Sequence, residues 1–169
     1  MSRNRVTLLV TGLEIFAPSI RSIDSAVQEL ICNAKDEILV VAYLLTEAAS
    51  GIIDRLRESA EKGVKITMLI DNIECQERTV IERLKTLARH PNVRILSFSD
   101  PHGRHLHAKV IVADRKRAVI GSANLSWGGM VTNYEIGVLI EGETVWKLAN
   151  VIDKLIIENR VMRIASSVG

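Results

Sequence analysis

The chain has 169 residues, 47% of them apolar, 25% charged and only 4% aromatic, with a formal net charge of +2. This is the profile of a globular protein rather than a disordered or fibrous one, and its length fits one domain over 1–169 with an aliphatic core. A charge so close to balance neither requires nor excludes an anionic partner, because local clustering of Lys and Arg decides that.

The first strand is expected over Val6 to Val10. The run is short, and Thr11-Gly12-Leu13-Glu14 after it carries no small-residue cleavage pattern, so a strand in a cytoplasmic protein is expected rather than a leader. Ser22 is placed as an N-cap for an amphipathic helix carried by Ile23, Ala26, Val27, Leu30 and Ile31. Ile38 to Leu44 is a continuous β-branched run of strand length, as for a central strand covered on both faces. Such apolar stretches are broken well before bilayer length, so no membrane span is expected. A helix over Ala48 to Lys62 stops at Gly63 and leads into a strand over Val64 to Ile70. A helix over Glu77 to Arg89, a break at Pro91-Asn92 and a strand over Val93 to Phe98 repeat the alternation. Cys32 and Cys75 do not suggest a disulfide framework, and two buried or idle thiols are expected.

The rhythm then changes. Val110 to Ala113 and Ala118 to Gly121 are separated only by Asp114-Arg115-Lys116-Arg117, which predicts a hairpin. A strand over Ile136 to Ile140 and a helix over Glu143 to Glu158 follow. The class is α/β, a mixed sheet with helices on both faces.

The chemistry sits on the hairpin. Strand alternation sets His107 and Lys109 on one face, about 6.5–7 Å apart. A turn symmetric about Arg115 and Lys116 puts Lys109 opposite Ser122 and His107 opposite Asn124, gathering a cation, an imidazole, a hydroxyl and an amide into one patch. A slip of one residue would carry Ser122 and Asn124 to the other face. Such a patch is an anion cradle suited to a phosphoryl group, with His107 the group able to act as nucleophile or proton carrier near neutral pH.

The run His107-x-Lys109, four residues, Asp114, six residues, Gly121-Ser122-x-Asn124 resembles the signature of the phospholipase D superfamily, in particular its short, single-motif bacterial endonuclease branch. The order of elements from Ser22 to Arg160 agrees with that branch. The resemblance implies a phosphodiesterase, foremost a nuclease acting on DNA or RNA, in which one His attacks phosphorus and a second protonates the leaving oxygen. With one signature per chain, it implies an obligate homodimer whose twofold axis completes a single site. It implies that Lys109 and Asn124 hold phosphate oxygens, that Ser122 assists and that Glu135 orients the imidazole. Asp114 and Gly121 are read as structural.

Arg104, Arg115, Lys116 and Arg117 flank the motif and are candidates for a phosphate or nucleic-acid rim, or are simply solvated. Asp100, His102 and His105 beside His107 have the look of a metal cluster, but Lys109 on the same surface would repel a cation, so no metal or other cofactor is expected. Tyr43 and Trp127 are read as packing residues. Phospholipid hydrolysis or transphosphatidylation, and a non-catalytic nucleic-acid-binding dimer, are the other functions the chemistry leaves open. A weaker likeness, through Ser122-Ala-Asn-Leu-Ser126, is to phospholipase D-like proteins of prokaryotic phage-defence systems.

Overall fold

The computed structural model describes residues 4–13, 15–16, 18–158 and 162–163. The leader reading and the 1–169 domain assignment therefore rest in part on positions outside the described residues. In chain order the elements are β1 (Arg5–Thr11), β2 (Arg21–Ser22), α1 (Ile23–Cys32), β3 (Glu37–Ala42), α2 (Ser50–Glu61), β4 (Lys65–Asp71), α3 (Arg78–Leu87), β5 (Val93–Phe98), β6 (Val110–Ala113), β7 (Arg117–Gly121), β8 (Glu135–Glu141), α4 (Glu143–Glu158) and β9 (Met162–Arg163).

These strands form one mixed sheet in the order β2-β1-β8-β7-β6-β3-β4-β5-β9. β3, β4 and β5 run parallel, linked by α2 and α3 as crossovers, while β6, β7, β8 and β1 are antiparallel neighbours. Local chemistry explains the helix ends. Ser22 Oγ accepts the Ser25 amide at 3.2 Å and caps α1, and Gly63, at φ 96°, takes the left-handed turn that α2 needs to stop.

β3 alternates as a strand covered on both faces must. Ile38, Val40 and Ala42 pack in the larger core beneath α1, α2 and α3, while Leu39 and Val41 meet Val145, Ala149 and Ile152 of α4 on the other side. Each fully buried Leu or Ile contributes about 1.5–3 kcal/mol, so both layers are needed. The mixed α/β sheet with helices on both faces is thus the fold expected. Among the described residues no helix is long and apolar enough to cross a membrane. Cys32 and Cys75 are free and exposed rather than buried.

The hairpin differs from expectation by one residue. Ala113 pairs with Arg117 and Val110 with Ile120, so Lys109 comes opposite Gly121, whose amide donates to Lys109 O at 3.3 Å. The cause is the turn. Asp114 and Arg115 both adopt left-handed φ of 53°, and Lys116 N donates to Ala113 O at 3.0 Å, closing the turn one residue early. That conformation is uncommon for side chains other than Gly, and it costs energy that tertiary contacts must offset. Here the Asp114 carboxylate accepts the amides of Lys35, Asp36 and Glu37 at 2.8–3.2 Å, and Arg115 bridges Glu37 and Asp153.

Candidate active site

The parallel strands β3 and β4 end side by side, and β6, antiparallel to β3, begins at the same edge. Tyr43, Asp71, His107 and Lys109 therefore gather outside the carboxyl ends of the parallel strands, the usual place for a site in an α/β sheet. Lys109 Nζ donates to His107 O at 2.8 Å and lies 2.9 Å from His107 Nδ1 and 3.1 Å from Nε2. An ammonium almost equidistant from both ring nitrogens points along the lone pair of neither, and so selects no tautomer.

The one-residue shift puts glycine where serine was expected. Gly121 pairs with Gly137 of β8 on the Lys109 side of the sheet, and with Tyr43 and Lys109 they wall a cavity of about 20 Å³. A Cβ at Gly121 would come within 2.9 Å of Gly137 Cα and Ile136 O, so only glycine fits. Two bare positions thus stand in register beside Lys109, with Glu135 two residues before Gly137. Burial pushes the Lys109 ammonium below its ordinary range, and the Glu135 carboxylate pulls it back in part.

Ser122, just past β7, donates its hydroxyl to the Glu135 carboxylate, and Ser122 Oγ also accepts the Ile136 amide at 3.2 Å. Asn133 Nδ2 donates to Glu135 at 3.2 Å. Ser122 thus reaches the Lys109 side of the sheet through Glu135, not by standing opposite Lys109. Within one chain Glu135 makes no hydrogen bond to His107 among the described residues. Asn124 does not oppose His107 either. It lies in the loop after β7, backed against Gly129, where a Cβ would meet Asn124 O at 2.3 Å, and its Oδ1 is buried without a partner among the described residues. The chain therefore brings together His107 with Lys109 and Ser122 with Glu135, and leaves Asn124 with unspent acceptor capacity.

The turn residues lie away from the His107–Lys109 pair. Arg115, Lys116 and Arg117 sit at the far end of β6 from Lys109, a four-residue strand of about 14 Å away. Arg115 is held by Asp153 at 2.7 Å and by Glu37, and Arg117 by Glu29 at 2.8 Å and Glu141 at 3.3 Å. Arg104 lies on the loop leading to His107, but donates twice to Asp100 at 2.8 and 3.1 Å, and that bond holds the Asp100 carboxyl well below its usual range. Asp114 does more than shape the hairpin: it ties the α1–β3 connection to it. Burial raises its carboxyl, yet the amides of Asp36, Glu37 and Lys35 together outweigh burial and leave it lowered.

The roles of three participants escaped the sequence reading. Tyr43, taken as packing, has its ring 4.4 Å from the His107 ring and 5.2 Å from Lys109 Nζ. His105 Nδ1 pairs at 2.8 Å with Asp71, a carboxylate only 3% exposed, and Asp71 also accepts the Leu106 amide at 2.8 Å. Their position at the ends of β3 and β4 was the available signal. Trp127, also taken as packing, is 60% exposed. Among the described residues no set of three His, Cys, Asp or Glu side chains is grouped to hold a metal.

Comparison with known proteins places the family and the fold. Residues 27–156 match the family described as cardiolipin synthase, PLD-like domain. The chain is 33% identical over 141 residues to the DISARM protein DrmC of Bacillus paralicheniformis, covering 83% of this chain and 58% of that protein, so it spans less than two thirds of that relative's length. Its fold superposes on the phospholipase D family member Nuc from Salmonella typhimurium with a TM-score of 0.75 at 23% identity, covering 98% of this chain and 100% of the other. NucT from Helicobacter pylori superposes with a TM-score of 0.74 at 19% identity, over 93% and 98% of the two chains.

Proposed function

The chain belongs to the phospholipase D superfamily, and from that premise we propose that it is a metal-independent phosphodiesterase of nucleic acid, working in a site shared by two copies of the chain. His107 attacks phosphorus, forming the P–N bond of a phosphohistidine as the P–O bond to the leaving strand breaks. His107 of the partner subunit gives that oxygen its proton. Water then hydrolyses the P–N bond, with the partner's imidazole taking the water proton back. Lys109 and Asn124 hold the non-bridging oxygens. For Asn124 the donor to phosphate is the side-chain nitrogen, since its buried amide oxygen can only accept. Ser122, fixed by Glu135, assists.

The observation that carries this reading is the single imidazole–ammonium pair, His107 with Lys109, in a chain whose neighbouring imidazole, His105, is committed to Asp71. One attacking histidine without a facing proton donor is half of a two-histidine site, which a twofold axis would complete. Nucleic acid is favoured as substrate by the resemblance of the His107–Asn124 run to the single-motif endonuclease branch, in keeping with the near-complete overlap of the fold with Nuc and NucT. Phosphatidyl transfer is the second reading, favoured by the description of the matching family.

The test is hydrolysis in EDTA of a chromogenic phosphodiester, of single- and double-stranded DNA, and of phosphatidylglycerol vesicles, comparing wild type with His107→Ala. Equal rates for the two proteins would remove the enzymatic reading, and turnover of the vesicles alone would move the substrate to lipid. Mixing wild type with His107→Ala subunits before assembly tests the shared site. Activity is expected to fall as the square of the wild-type fraction, whereas a linear fall means independent sites.

A further inference from the structure

Resting on the assignment of His107 as the attacking group, we infer that Tyr43 is a positioning residue that holds the His107 ring and Lys109 Nζ in their working geometry, and that the buried Asp71–His105 pair buttresses it. Among the described residues nothing else fixes the His107 imidazole. Its nitrogens meet only Lys109 Nζ, which favours neither of them, and Glu135 is engaged with Ser122 and Asn133. His107 is exposed, so burial does not restrain it either.

The restraint comes from the ring of Tyr43. It lies 4.4 Å from the His107 ring at an interplanar angle of 56° and 5.6 Å from the His105 ring at 84°. These are contact distances at which tilted and edge-on aromatic pairs attract. Lys109 Nζ is 5.2 Å from the same ring centroid, within cation–π range. One ring thus lies within reach of both members of the His-x-Lys pair.

The opposite contact is anchored. His105 on its own is a loop side chain free to turn, but Asp71 is 3% exposed at the end of β4 and takes His105 Nδ1 with one oxygen and Leu106 N with the other, both at 2.8 Å. A buried carboxylate gripping an imidazole and the next backbone amide locks both ring and loop. Rigidity therefore passes from the sheet through Asp71, His105 and Tyr43 to His107. The Tyr43 hydroxyl has no hydrogen-bond partner among the described residues, so the ring rather than the hydroxyl does the positioning.

The test uses the full-length protein and three variants, each checked for its melting temperature. Tyr43→Phe keeps the ring and is expected to keep kcat within about twofold of wild type. Tyr43→Leu keeps apolar volume without the flat face and is expected to lower kcat about 10- to 100-fold with KM little changed. His105→Ala, a change at a largely exposed side chain, should lower kcat by less, roughly three- to tenfold. NMR of the imidazole ring protons gives a readout independent of turnover: His107 protons should carry the ring-current shift of Tyr43, retained in Tyr43→Phe and lost in Tyr43→Leu. Wild-type kcat and His107 shifts in Tyr43→Leu would overturn the inference, as would equal losses in Tyr43→Phe and Tyr43→Leu. Should Tyr43→Leu not fold, unchanged kcat and His107 shifts in His105→Ala overturn it, and altered ones support it. A wild-type protein as slow as His107→Ala would instead condemn the proposed function, leaving the NMR comparison to judge the positioning.

Discussion

The two ends of the β6–β7 hairpin are made of the same kinds of residue and do opposite things. At the turn, three charges are engaged: Asp114 takes three backbone amides, Arg115 bridges Glu37 and Asp153, and Arg117 pairs with Glu29 and Glu141. At the open end, among the described residues, Lys109 has no ion pair closer than the pull of Glu135 and His107 has no carboxylate partner. Matched charges stabilise a fold, while groups held in place with bonds still to make are what a phosphate needs. Each prediction below can break that contrast by finding stability at the open end or activity at the turn.

The largest effect belongs to His107→Ala, expected to lower phosphodiester hydrolysis by roughly 10³-fold or more while moving the melting temperature by less than about 2 °C, since the side chain is exposed. A parallel loss of stability in thermal unfolding would contradict the division. Next, Lys109→Met removes the cation from the cradle and should cost about 10²-fold in kcat. It should also flatten the salt dependence of DNA binding by close to one phosphate contact, readable from affinities measured between 50 and 200 mM salt as about that range.

At the other end, Asp114→Asn should leave kcat unchanged and cost about 2 kcal/mol, the scale for hydrogen bonds to a charged group. The pH dependence has a definite sign. The Asp114 carboxyl is lowered in the folded protein, so its contribution is complete above the ordinary carboxylate value near about 4 and drains away as pH falls through the lower folded value. The melting-temperature gap between wild type and Asp114→Asn should therefore be widest near neutrality and narrow in acid; a gap that widens in acid reverses the assignment. Smallest is Arg115→Ala, about 1 kcal/mol for loss of a partly exposed two-carboxylate network, again with unaltered turnover. A drop in DNA affinity for this variant would restore Arg115 to the rim.

Most of the architecture was legible because it rests on periodicity. The 3.6-residue spacing of Ile23, Ala26, Val27, Leu30 and Ile31 and the unbroken run at Ile38 mark faces that must be buried. His107 and Lys109 were legible because a two-residue spacing keeps them neighbours under any extended geometry. Their partners across the hairpin were not. Register depends on how many residues the turn absorbs, and Asp114 and Arg115 take left-handed conformations only because Lys35, Asp36, Glu37 and Asp153, distant in sequence, hold them there. The same reason hid Tyr43, His105 and Asp71, which share an edge only once three separate strands are aligned.

Composition and pattern alone thus settled the class of the fold and the burial of its strands, and the resemblance of the run from His107 to Asn124 pointed to the superfamily, since each follows from residues near one another along the chain. Tertiary structure alone decided what stands opposite Lys109, where the turn arginines go and which ring leans on His107. Those outcomes depend on contacts between segments far apart in sequence, and one residue of register is enough to exchange a serine for a glycine.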